Sequence, residues 1–358
     1  MTEKPAKFYI PSLDGIRAIA FLIVFLSHAG LEFVPGGFGV TVFFFLSGYL
    51  ITTLLRREHD RSNKVDFKKF YMRRVLRIWP PFYVVLLLAV GTSFLVGGYP
   101  EFNGDHLYAF VSQFFHFCNY YNIEYGNQFM ALGTGVYWSL AVEEHFYLLF
   151  PLLYVLLRRF GLGSSLQASI FLGICLLVLL WRCLLVFKMG ADYDRIFFAT
   201  DTRVDSILFG CALAVAGNPA LDQDRQISGQ ILKYVLLPLG VVLLLGSLLV
   251  RTDDFRDTVR YSIQGIALYP IFIAAIRFPD WIIFQPLNWR WMRFVGVLSY
   301  SLYLVHYVVI RALKTAMPEL GMLGIGVASL VISLALSYAI YVLAEVPAAK
   351  LKKKFVTH

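Results

Sequence analysis

Arg17 and His28 lie eleven positions apart in one apolar stretch, LDGIRAIAFLIVFLSHAGLEF, residues 13–33. At about 100° per residue that interval is three helical turns plus about 20°, so both side chains share a face, about 16 Å apart along the axis. Asp14 falls within about 40° of His28 on the same stripe. An ionisable group in lipid costs at least about 2.5 kcal/mol, so this stripe belongs against a protein interior or a wet cavity. Headgroup anchoring would also account for Asp14 and Arg17. It accounts poorly for His28, because a short imidazole cannot snorkel as Lys and Arg do. The chemistry such a histidine offers is proton removal from a hydroxyl at ordinary pH.

Five further groups have side chains suited to chemistry. Arg73, Arg74 and Arg77 precede an apolar run, and Arg73 and Arg77 stand one helical turn apart, a spacing that lets two guanidiniums converge on one phosphorylated ligand. In WSLAVEEHFYLLFP (138–151), Ser139 and Glu143 share a face while Glu144 points about 100° away, so one glutamate faces a site and the other holds a helix. His145 lies on yet another face and reads as a structural hydrogen-bonding residue. In TDTRVDSILFG (200–210), Arg203 and Asp205 read as a local ion pair. Ser299, Tyr303 and His306 form one polar stripe at i, i+4 and i+7, and Glu345 reads as a helix-end charge. Histidines, carboxylates and arginines spread over several spans imply one buried polar site reached from the cytoplasm.

The elements that position these groups follow from composition. Hydrophobic residues make up 58% of the 358 residues and charged residues 15%, with mean hydropathy +0.66, which defines an all-α polytopic membrane protein rather than a soluble domain. The net charge of +9 is no sign of nucleic-acid binding, because residues 56–77 alone hold nine Lys/Arg against three Asp/Glu. That bias places the basic loop 56–80 in the cytoplasm, and it accounts fully for Lys64, Lys68 and Lys69. Spans are expected at about 13–33, 40–55, 81–96, 138–157, 167–187, 204–217, 231–250, 259–276, 294–313 and 322–344. The bundle thus has about ten transmembrane helices with both termini cytoplasmic, an assignment that the lysine-rich tail (350–354) supports. Residues 99–136, rich in aromatics, Asn and Gly, are expected as an outer-face or re-entrant segment. The whole of 1–358 reads as a single transmembrane domain with no cleavable signal, no internal repeat and no appended soluble domain. Cys118, Cys175, Cys183 and Cys211 lack any C-x-x-C spacing and read as free and buried, without metal or disulfide.

Taken together and in order, LDGIRAIAFLIVFLSHAG, GGFGVTVFFFLSGYLIT, FYMRRVLRIWP, WSLAVEEHFYLLFP, TDTRVDSILFG, SYSLYLVH and AEVP resemble the acyltransferase-3 family of integral membrane acyltransferases. The resemblance runs from about residue 13 to 347. It implies an acyl-CoA donor, acetyl-CoA in the commonest case, used from the cytoplasmic side of a cell membrane. It also implies a carbohydrate or lipid-linked glycan acceptor outside. The family's R-x10-H motif maps onto Arg17 and His28, the histidine being the essential catalytic residue. Its R-x-x-R element maps onto Arg74 and Arg77, beside Arg73, and handles acyl-CoA. His28 is then the general base or a nucleophile, oriented by a carboxylate such as Glu143 or Asp14, unless Asp14 pairs with Arg17 one turn away. If Arg17 and His28 serve one site, a cavity must connect them. Some relatives carry a C-terminal esterase-like domain, so a chain ending at His358 acts alone or with a separate extracytoplasmic partner. The rival class is a proton-coupled transporter or flippase, in which the same His, Glu and Arg side chains would form a relay.

Overall fold

The computed structural model describes residues 9–97, 103–222 and 227–352, and every regular element among them is helical. Those of six or more residues are, in chain order, α1 (Pro11–His28), α2 (Gly36–Ser62), α3 (Phe67–Leu95), α4 (Gly104–Phe114), α5 (Cys118–Tyr125) and α6 (Trp138–Arg159). There follow α7 (Ser164–Met189), α8 (Tyr193–Phe198), α9 (Thr200–Val215), α10 (Gly229–Leu249), α11 (Arg260–Arg277), α12 (Arg290–Ala316) and α13 (Pro318–Leu351). Eight of them, α1, α2, α3, α6, α7, α10, α12 and α13, are long and apolar enough to cross a membrane, α6 together with the turn before it. The chain is a multi-pass membrane protein. The remaining two expected spans, 204–217 and 259–276, are helices as well, but α9 has only 16 residues and both fall short of that apolar standard.

Burial sorts the helices into an inner and an outer set. Helix α1 packs chiefly on α12 and α2, and α9 is held between α2 and α7. From Ile207 to Val215 every residue of α9 is buried, as expected of a helix apolar all round its circumference. Its Gly210 lies so close to the backbone of α2 that a methyl group there would strike the carbonyl of Phe45. Gly296 on α12 meets the carbonyl of Asp14 in the same way. Small residues at such crossings let helix backbones approach closely where the solvent is lipid. The outer helices, by contrast, expose rows of leucine and valine, such as Leu172, Leu176, Leu180 and Leu184 on α7, which suit lipid contact.

The basic stretch expected as a loop over 56–80 is mostly helix. Only residues 63–66 interrupt it, because Asn63 closes α2 in the left-handed conformation and the Asp66 carboxylate caps α3 by accepting from the Lys69 amide at 2.9 Å. Of the segment expected at 99–136, the described part carries α4, α5 and a 3-10 turn at Thr134–Tyr137. Lysines 353 and 354 of the basic tail lie outside the described residues. Cys118, Cys175 and Cys211 are buried, whereas Cys183 is only half-buried, because it sits on the outer part of α7.

Candidate active site

Helices α1, α2, α3, α6, α12 and α13 enclose a cavity of about 440 Å³. Its walls carry Arg17, Arg74 and Arg77 together with Asp14, Glu143, Glu144 and Glu345. These charged groups come from four helices, α1, α3, α6 and α13, so the convergence is tertiary. Most of the carboxylates already have donors. Asp14 accepts from Arg17 at 3.0 Å and from the Tyr9 hydroxyl at 2.7 Å. Glu143 accepts from Ser47 at 2.6 Å, and Glu345 accepts from Ser301 at 2.5 Å. Glu345, at the end of a π-helical turn in α13, is therefore part of the cavity wall and not a bare helix-end charge.

Among the described residues, two polar atoms on this wall are buried without a hydrogen-bond partner, Nε of Arg74 and Oε1 of Glu144. The Arg74 guanidinium lies near the rings of Phe70 and Tyr147, 5.9 and 5.8 Å from their centroids. Arg77 is exposed and forms the rim. Arg73 points elsewhere and is held at 2.6 Å by Glu58 of α2. The convergent pair is thus Arg74 and Arg77, not the turn-spaced Arg73 and Arg77, because the carboxylate on the neighbouring helix captures Arg73.

On α12 the cavity lining runs from Val297 to Tyr303, whose hydroxyl is 2.6 Å from Ser139 Oγ and donates to the carbonyl of Val136 at 3.0 Å. One turn further, His306 is fully buried, with Nδ1 2.7 Å from the carbonyl oxygen of Tyr303 and Nε2 2.9 Å from Nδ1 of His28. The two imidazoles lie edge to edge and nearly coplanar, 5.1 Å between centroids and 16° between planes, and Phe21 meets His306 edge-on at 5.7 Å. His28 is half-buried and does not line the cavity. The expected single cavity from Arg17 to His28 is therefore interrupted, with Tyr303 and His306 standing between. Neither Asp14 nor Glu143 is a hydrogen-bond partner of His28. Asp14 is taken by Arg17, one turn away, and Glu143 by Ser47.

Arg203 and Asp205 do not pair. Asp205 binds Arg182 of α7 at 2.7 Å with both side chains fully buried. Arg203 instead sits among aromatic rings, 4.0 Å from the Tyr261 centroid and 5.4 Å from that of Trp138. His145 bonds to the Thr200 hydroxyl at 2.8 Å, in keeping with a structural role. Arg182 and Ser47 are interior polar groups that are not among the residues expected from the sequence. Arg182 is the one charge inside the apolar run LLVLLWRCLLVF, and a lone intramembrane charge calls for a partner. Ser47, in FFFLSGYL, was the corresponding polar signal on α2.

O-acetyltransferase OatA of Staphylococcus aureus strain NCTC 8325 / PS 47 is 34% identical over 316 residues, which is 84% of this chain and 51% of that protein. The OatA of strain MRSA252 matches to the same extent. The chain spans about half the length of the curated relatives it matches. No solved structure gives a significant match. The Acyl_transf_3 family model, described as an acyltransferase domain, matches residues 10–342, a range that holds every charged group of the cavity except Glu345. A match over nearly the whole length settles the assignment, and the chain belongs to the acyltransferase-3 family.

Proposed function

We propose that the protein transfers an acyl group, acetyl by preference, from cytoplasmic acyl-CoA to a hydroxyl of an extracytoplasmic or membrane-linked carbohydrate, with His28 as the base. The observation that carries this reading is the gathering of Arg17, Arg74 and Arg77 around one cavity whose inner wall, at Tyr303, backs onto the His28–His306 pair. Guanidiniums suit phosphate oxygens. Four carboxylates also line the cavity and disfavour a polyanion among them, so the phosphates of CoA belong at the exposed rim by Arg77, with Arg74 beside it. The uncharged pantetheine arm then carries the thioester past the carboxylates toward Tyr303. For the thioester to meet His28, the contact between Tyr303 and Ser139 has to open.

In the reaction, Nε2 of His28 takes the proton of the acceptor hydroxyl while that oxygen attacks the thioester carbonyl. The carbon–sulfur bond breaks, and the CoA thiolate leaves and is reprotonated from the imidazolium. Purified protein given acetyl-CoA and an extract of surface glycans is expected to release free CoA thiol and to add an acetyl mass to the glycan. A transporter would release no thiol, and that result would refute the enzymatic reading. Acetyl-CoA sealed inside vesicles, with glycan only outside, tests the sidedness, since product is expected without CoA crossing.

The rim assignment makes a separate prediction. Arg74→Gln together with Arg77→Gln is expected to raise the KM for acetyl-CoA about tenfold or more, since hydrogen bonds to charged groups contribute about 1.5–3 kcal/mol. Arg73→Gln is expected to leave that KM within about twofold, because Arg73 is turned onto Glu58. An unchanged KM in the Arg74/Arg77 variant would return the cluster to a topological role, and an equal rise in Arg73→Gln would overturn the assignment of the rim to Arg74 and Arg77 alone.

A further inference from the structure

We infer that His306 is a positioning residue that fixes which nitrogen of His28 is free to accept a proton. The inference follows from hydrogen-bond direction, taken one bond at a time from the buried end. Nδ1 of His306 lies 2.7 Å from the carbonyl oxygen of Tyr303 and 3.2 Å from that of Leu302. Carbonyl oxygens only accept, so this nitrogen carries the hydrogen. His306 is fully buried among Phe21, Phe25 and Tyr303 and has no carboxylate hydrogen-bond partner among the described residues, a setting in which the neutral ring is the stable form. A neutral ring protonated at Nδ1 has its lone pair at Nε2. That lone pair faces Nδ1 of His28 at 2.9 Å, so Nδ1 of His28 is the donor and its Nε2 is left bare.

The backbone carbonyl of Tyr303 thus orders both rings, and it does so without a carboxylate. When Nε2 of His28 gains the acceptor's proton, the bond from its Nδ1–H to His306 becomes charge-assisted and so strengthens in the state that needs it. The two rings lie edge to edge with their planes 16° apart, so the bond between the facing nitrogens runs close to both ring planes, the direction in which a ring N–H and a ring lone pair point. In an enzyme whose histidine base is held by a carboxylate, that carboxylate fixes the tautomer and stabilises the imidazolium. Here a second, neutral histidine takes the first of these roles entirely and the second in part.

The inference rests on the reading of His28 as the base, and its test separates the two. Protein labelled with nitrogen-15 histidine is expected to show His28, assigned by its loss in His28→Gln, as protonated at Nδ1 and bare at Nε2. In kinetics with acetyl-CoA and the glycan extract, His306→Phe keeps the ring and its contact with Phe21 but removes the acceptor. It is expected to lower kcat about 10²-fold with the KM for acetyl-CoA unchanged. His306→Gln restores an acceptor at the same reach and is expected to keep kcat within about tenfold of the parent. A His28 protonated at Nε2, or an His306→Phe protein with parental kcat, would overturn the inference. Should His306→Phe fail to fold, the nitrogen-15 spectrum of the parent decides alone. If His28→Gln keeps its activity while the spectrum is as expected, the base assignment fails and the tautomer assignment stands.

Discussion

Replacing His28 with alanine is expected to lower acyl transfer by about 10²–10⁴-fold, the usual range for loss of a general base. The protein should still fold, because His28 is the last residue of α1, only half-buried, and its side-chain hydrogen-bond partner among the described residues, His306, keeps its bonds to the carbonyls of Leu302 and Tyr303. The loss should fall on kcat and leave the KM for acetyl-CoA little changed, since the arginines that would hold the donor line a cavity from which His28 is absent. Release of CoA thiol by the purified variant measures it. More than a tenth of parental activity would remove His28 from the centre of the reaction.

The second large effect is on stability and lies outside the cavity. Arg182 and Asp205 form a fully buried pair, and the guanidinium also donates to the carbonyls of Thr202 and Thr258 at 2.6 and 2.9 Å and to the Ser262 hydroxyl at 2.8 Å. Arg182→Met would strand the carboxylate and two carbonyls together. Removing one partner of a buried pair costs about 3–5 kcal/mol. A fall in the thermal unfolding midpoint in detergent, with loss of the monodisperse folded species, should report it. The double variant Arg182→Met with Asp205→Leu should regain much of the loss, because no unpaired charge remains. If Arg182→Met unfolds at the parental temperature, the pair contributes nothing to the fold.

The two partners of that pair show where reading along the chain stops. Arg203 and Asp205 are neighbours in sequence, but residues two apart on a helix point to opposite sides, so Asp205 faces α7 and Arg203 faces the aromatic rings. Helical phase alone excluded the local pair. That Arg182 would be the partner required knowing that α7 packs on α9. Arg73 makes the same point. Its turn spacing to Arg77 is real, yet Glu58 on α2 decides that Arg74, and not Arg73, turns to the cavity.

Composition and apolar run lengths determined the helical membrane class and where the long helices fall, because lipid admits a spanning backbone only if its hydrogen bonds close within the segment. Ordered motifs determined the family, and the helical stripes picked out Arg17, His28, Tyr303 and His306 as interior groups. What only the tertiary structure decided is which of these meet. A helix fixes the azimuth of each side chain but not the neighbour that its face will find. So Asp14, on the stripe of His28, serves Arg17, while the nitrogen beside His28 comes from a histidine 278 positions away on α12. That contact exists because α1 packs against α12, closely enough that only glycine fits at position 296.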